Sequence, residues 1–177
     1  MTLDALWSGW RATYIADVAG RPVPGEGSLF EQILASGRPD RETYIVHRGP
    51  TCFVILNLYP YTSGHVLVLP RRAVPTLAEL TPTESSELWA TVVRTVATVE
   101  ALYRPEGMNV GVNLGRAAGA GVPDHLHVHV VPRWHGDTNF MTSVAEARVL
   151  PEPIDVTWEK LVAAWPGTDG GGSAADR

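Results

Sequence analysis

Residues 125 to 131 read His-Leu-His-Val-His-Val-Val, and few backbone conformations make sense of such a run. A strand sends successive side chains to opposite faces. As a strand, the run puts His125, His127 and His129 on one face and Leu126, Val128 and Val130 on the other. At a rise of about 3.3 Å per residue the imidazoles stand roughly 6 to 7 Å apart. One face is then chemistry and the other core. Three of the six histidines fall within these five residues, a concentration that a half-exposed strand has no packing reason to make. Two chemistries use such a row. Imidazoles ligate zinc or iron, with Asp124 or His65 able to complete the set. Alternatively, one neutral imidazole attacks phosphorus while a second group protonates the leaving oxygen and further donors hold the non-bridging oxygens.

The remaining composition narrows the setting. A chain of 177 residues favours one domain, and 45% hydrophobic residues suffice for a core. The net charge of -5 offers no basic surface for a nucleic-acid backbone, so no nucleic-acid partner is expected. Cys52 is the only cysteine, which excludes an internal disulfide and a Cys-rich zinc site, and its apolar neighbours mark it as a small buried residue. The start MTLDALWSGW has no basic segment and does not read as a secretory signal. No apolar run approaches the ~20 residues of a membrane helix. A cytoplasmic protein without a membrane partner is the expectation.

Apolar spacing predicts a short helix or docked arm over residues 3–17 and a helix over 29–35 capped by Ser28. Strands are predicted over 43–48, 51–58, 65–69 and 108–114, the first two joined as a hairpin at Gly49-Pro50 and the third stopped by Pro70. Thr81-Pro82-Thr83-Glu84 is a capping box with proline at the first helical position. The 3.6-residue period then runs through Leu88, Val92, Val96 and Val99 to Tyr103, where Pro105 and Gly107 end the longest helix. A last helix is predicted over 155–165, followed by a Gly-rich disordered tail. Strands joined by short turns around one long helix predict an α+β fold, a mostly antiparallel sheet of about five strands with shorter terminal helices. The expected organisation is a helical extension over 1–42, a catalytic domain over 43–150, and a terminal helix and tail over 151–177.

The loop Gly115-Arg116-Ala117-Ala118-Gly119-Ala120-Gly121 leads into the histidines. Small residues let backbone N–H groups approach phosphate oxygens. The His-φ-His-φ-His-φ-φ run at 125–131 resembles the defining motif of the histidine triad superfamily, and Asn57 to Pro70 (NLYPYTSGHVLVLP) resembles its second signature. The order of hairpin, Gly-His strand, long helix, Asn-x-Gly strand, Gly-rich loop and triad strand agrees over roughly residues 43 to 134. Asn109-Val-Gly-Val-Asn113-Leu-Gly115, the Pro132-Arg133-Trp134 that follows the triad, Gly136-Asp137-x-Asn139-Phe140, Leu56 to Tyr61 and the Leu6-Trp7 segment are similar to the actinobacterial diadenosine tetraphosphate phosphorylases within that superfamily.

The resemblance implies the roles. His127 attacks the α-phosphorus and forms a nucleotidyl-histidine. His129 contacts the phosphate and assists proton transfer at the leaving oxygen, and His125 holds and polarises the arrangement. His65 supports the triad, Asn57 binds the ribose hydroxyls, and Asn113 with the 119–121 backbone, Gly119 and Gly121 included, binds phosphate oxygens. Many members place Gln where this chain has Gly121, or Ser or Thr where it has Val122. Gly121 leaves a backbone N–H there, or room for a different leaving group. Asp124 fits the acidic residue common before the triad in the phosphorylase group. Arg116, Arg133 and Asn139 are the candidates for an acceptor-phosphate pocket. The implied reaction is phosphorolysis of diadenosine tetraphosphate to ATP and ADP. It needs no catalytic metal and no cofactor, and inorganic phosphate is its co-substrate. The alternatives are hydrolysis of dinucleoside polyphosphates or nucleoside phosphoramidates to AMP by the same triad, and, more remotely, a metal-dependent enzyme built on the histidine row. The resemblance also implies a homodimer through the long helix and an adjacent strand, with a tetramer as a further step.

Overall fold

The computed structural model describes residues 26–137 and 152–166. The predicted helix over 3–17, Asn139 and the tail beyond 166 lie outside the described residues. Five strands form one antiparallel sheet in the order β1-β2-β3-β5-β4: β1 Ile45–Arg48, β2 Cys52–Leu56, β3 Val66–Pro70, β4 Gly107–Val112 and β5 Val128–Arg133. The helices are α1 Leu29–Ala35, α2 Asp40–Thr43, α3 Pro82–Tyr103 and α4 Ile154–Ala164. None of them is long and apolar enough to cross a membrane.

The two-residue period decides the layers. Cys52, Val54 and Leu56 of β2, Val66 and Val68 of β3, and Leu126, Val128 and Val130 point to one face. There they pack with Leu88, Val92 and Val99 of α3 and Leu161 of α4. Phe53, Ile55, Leu67 and Leu69 point to the other face and meet Phe30 of α1. β2 and β3 are therefore buried on both sides, which explains their unbroken apolar sequences. The histidines occupy the face that α1 covers, as the alternation requires.

Three expectations change in the structure. The triad strand begins at Val128, so His125 and His127 precede it. The ladder starts where β3 and β4 both reach β5, at Val68↔Val128 and Val112↔Val128. Before that point the Leu126 N–H turns to the carbonyl of Val74, 2.7 Å away. Pro70 does not stop β3 but is its last residue, paired with Cys52, and its carbonyl is used by the triad. Residues 43 and 44 are not strand: α2 ends at Thr43, and Tyr44 takes a left-handed conformation (φ 58°) that turns the chain into β1.

The long helix begins as its sequence dictates. Thr81 Oγ1 accepts the Glu84 N–H at 3.2 Å, and the Glu84 carboxylate accepts the Thr81 N–H at 2.8 Å. The same carboxylate receives two bonds from the Arg72 guanidinium. Arg72, then the Thr81 N–H, draw the Glu84 carboxyl down to about 2. A folded-state value below the ordinary 4.5 gives stability that is present above that range and lost as pH falls towards 2. Glu84→Gln is expected to lower stability by about 1 kcal/mol at pH 7. It should also flatten the loss of stability between pH 4.5 and 2, read by urea denaturation across that range; parallel slopes for the two proteins would refute the linkage.

Candidate active site

A cavity of about 300 Å³ opens on the α1 side of the sheet. Leu29, Phe30 and Ile33 of α1, Ile55 and Leu67 of the sheet, and Val122 form its apolar wall. Asn57, Tyr59, Tyr61, Gly119, Gly121, His127 and His129 supply its polar side, with Arg38 and Glu42 also in its wall. An apolar slot with a few converging polar groups suits a flat heteroaromatic base joined to a polar chain. A second cleft of about 400 Å³ lies beyond His129, lined by Tyr61, Thr62, Asn109, Gly111, Asn113 and Arg133 among others. His129 forms part of both walls.

Hydrogen bonds fix the proton on each imidazole. A carbonyl only accepts, so His127 Nδ1–H donates to the carbonyl of His125 at 2.8 Å. Its Nε2 is left with a lone pair, the form in which an imidazole can act as a nucleophile. The Tyr61 N–H donates to His65 Nδ1 at 3.1 Å. The proton of neutral His65 therefore sits on Nε2, which donates to His129 Nδ1 at 3.0 Å. His129, accepting at Nδ1, in turn carries its proton on Nε2. His125 donates from Nε2 to the Pro70 carbonyl at 2.8 Å, and its Nδ1 receives the Ser28 hydroxyl at 2.6 Å. One bare nitrogen on His127 and one protonated nitrogen on His129 thus stand on neighbouring rings, with centroids 5.0 Å apart.

Burial keeps these rings uncharged. It pushes the His125 and His127 imidazoles below their ordinary range, and with His127 nearby it takes His129 to about 4. Tyr61 stacks on the His129 ring at 6.1 Å and lies tilted against His65 at 4.7 Å.

The sequence-predicted residues divide by place. His127, His129, Asn57, Gly119 and Gly121 meet in the main cavity, and Asn113 joins His129 in the second cleft. His125 is fully buried and stands behind the cavity. His65 is buried too and reaches the site through His129. The 119–121 backbone, which the resemblance assigns to phosphate oxygens, forms a tight turn. The Gly119 and Ala120 N–H groups close a 3-10 turn onto the carbonyls of Arg116 and Gly115. Gly119 adopts φ +92°, a conformation that favours glycine. Gly121 takes no part in that turn and lines the cavity. Arg116 and Asp124 are exposed and line neither cavity. Arg133 lines the second cleft with its guanidinium engaged by Asp137 and Asn109. Among the described residues no three His, Cys, Asp or Glu side chains are placed to hold a metal ion. Sequence reasoning missed Phe30, Ile33 and Tyr61 as walls of the site. It took Ser28 for a helix cap alone, and nothing local signals a bond spanning 97 residues.

The family model for the HIT domain matches residues 38–136. The chain is 39% identical over 165 residues to the AP-4-A phosphorylase of Mycobacterium tuberculosis, covering 92% of this chain and 85% of that one. It is also 39% identical over 93 residues to the asymmetrical bis(5'-nucleosyl)-tetraphosphatase of Schizosaccharomyces pombe, covering 52% of this chain and 50% of that one. Among solved structures it is similar to a Zn-bound histidine triad family protein from Mycobacterium smegmatis, with a TM-score of 0.63 and 27% identity over 78% of this chain and 93% of that one. With the triad, its tautomers and its cavity in place, the chain belongs to the HIT domain family, the histidine triad superfamily.

Proposed function

We propose that this protein transfers a nucleotidyl group through His127, and that its reaction is phosphorolysis of diadenosine tetraphosphate to ATP and ADP. The observation that carries the chemistry is the His127 Nδ1–H bond to the His125 carbonyl, which leaves Nε2 bare on the cavity wall. The similarity to the M. tuberculosis phosphorylase over 92% of the chain supports the substrate. His127 Nε2 attacks the α-phosphorus as the bond from phosphorus to the bridging oxygen breaks. ATP leaves, its oxygen receiving a hydrogen bond from His129 Nε2–H. Inorganic phosphate then attacks the adenylyl-histidine, the P–N bond breaks, and ADP leaves with His127 restored. No cofactor enters these steps. The apolar slot beside Phe30 and Ile33 takes the base, and Asn57 reaches the ribose.

The second reading is hydrolysis, in which water takes the place of phosphate and AMP is the product. The similarity to the S. pombe tetraphosphatase over half the chain favours it. Product analysis separates the two. With diadenosine tetraphosphate and phosphate present, ADP and ATP are expected in equal amounts; AMP formed at an unchanged rate without phosphate would establish the hydrolase. His127→Ala should lower turnover at least about 10³-fold in either case, and near wild-type turnover would end the covalent reading.

Because burial holds His127 below the ordinary imidazole value of 6.5, it is neutral and nucleophilic at neutral pH. The acid limb of kcat/KM is expected below pH 6.5, and a limb at or above that value would contradict the assignment.

A homodimer, with a tetramer beyond it, is part of the same proposal. Trp89 (44% exposed) and Val93 (69%) of α3, and Val110 (43%) of the edge strand β4, offer an apolar surface. Val93→Asp is expected to halve the mass found by light scattering; an unchanged mass would move the interface elsewhere. The proposed setting is the cytoplasm, where the nucleotide and phosphate are both at hand.

A further inference from the structure

The family model begins at residue 38, yet the helix that walls the cavity, α1, lies before it at Leu29–Ala35. Its cap residue is joined to the triad. Ser28 is buried, and its Oγ lies 2.6 Å from His125 Nδ1. The Pro70 carbonyl takes the His125 Nε2 proton, so Nδ1 is bare and the Ser28 hydroxyl must donate to it. The same oxygen accepts the Glu31 N–H at 3.2 Å, which aims its single proton away from the helix and at the ring.

Glu31 closes the arrangement. One carboxylate oxygen accepts the Ser28 N–H at 2.8 Å and the other accepts the Ala73 N–H at 2.9 Å. Ala73 lies three residues beyond Pro70, whose carbonyl grips the opposite side of His125. Both partners of the His125 ring are thus tied to each other through Glu31. The Phe30 ring stands edge-on to His125 at 5.3 Å and tilted to His127 at 5.7 Å. His125 in turn presents its carbonyl to His127 Nδ1–H.

We propose that Ser28 is a positioning residue for the reaction: its hydroxyl locks the His125 ring and, through the His125 carbonyl, the orientation and tautomer of the nucleophile His127. The inference rests on the reading of His127 as nucleophile. Glu31 from α1, and Asp124 and His127 from the triad segment, are the titratable groups that act on His125. With the Ser28 donor gone, His125 Nδ1 loses its hydrogen-bond partner, and the fixed carbonyl support of His127 loosens.

The test uses the full chain with Ser28→Ala, Ser28→Thr and Ser28→Asp. Threonine keeps both the cap and the donor. Aspartate keeps the cap acceptor but lacks the proton, which separates loss of the helix from loss of the hydrogen bond. With diadenosine tetraphosphate and inorganic phosphate as probes, alanine and aspartate should lower kcat about 10- to 100-fold with KM unchanged, and threonine should restore kcat. In ¹⁵N-histidine NMR of the ligand-free protein, wild-type His125 should show a bare, hydrogen-bonded Nδ1, and Ser28→Ala a shift of that resonance. A rise in KM with kcat intact would reduce Ser28 to a cavity-wall role and overturn the proposal. So would failure of threonine to restore kcat, or a protonated His125 Nδ1 in the wild type. If wild-type protein does not turn over the dinucleotide, the proposed function fails, and the NMR arm still decides the Ser28 lock by itself.

Discussion

The bond from His127 Nδ1 to the carbonyl of His125 is the contact on which this site depends. One residue separates the partners, so the bond looks local, yet it is useful only while the His125 backbone stays still. That stillness comes from far along the chain: the Pro70 carbonyl and the Ser28 hydroxyl hold the His125 ring, and the Val74 carbonyl holds the Leu126 N–H. A neutral imidazole has one donor and one acceptor nitrogen, and an environment that assigns both leaves no freedom of tautomer.

The same logic runs in the opposite sense at His129. Starting from a backbone N–H at Tyr61, the proton order passes through His65 and ends with a proton on His129 Nε2. Two chains of hydrogen bonds, one anchored on a carbonyl and one on an amide, thus give neighbouring imidazoles opposite tautomers. Identical side chains present a bare nitrogen and an N–H donor because the backbone groups behind them differ. Burial assists both by keeping the rings neutral, for a charged ring would have no bare nitrogen to attack with.

The sheet makes this possible by separating the two faces of one strand run. Val128 and Val130 anchor the segment in the core beneath α3, while His127 and His129 face the cavity under α1. The price of the arrangement is an irregular entry: the ladder ends at Val128 so that the preceding residues can bond to Val74 and to one another.

Much of this was legible in the residues themselves. The alternation at 125–131 determined which side chains share a face, because the strand period of two is a property of any extended chain. The box at Thr81-Pro82-Thr83-Glu84 placed the start of α3, because its partners are only three residues apart. The family motifs named His127 as the attacking residue and brought Asn57, Asn113 and Gly121 into the argument. Tertiary structure alone decided the rest. It decided that Gly119 and Ala120 spend their N–H groups on their own turn, that Arg116 and Asp124 stay outside the cavities, and that Ser28 is bound to His125. The reason is the range of the interactions: periodicity and caps are set by neighbours in sequence, whereas the proton on each histidine is set by a carbonyl, an amide or a hydroxyl that only folding brings within 3 Å or so.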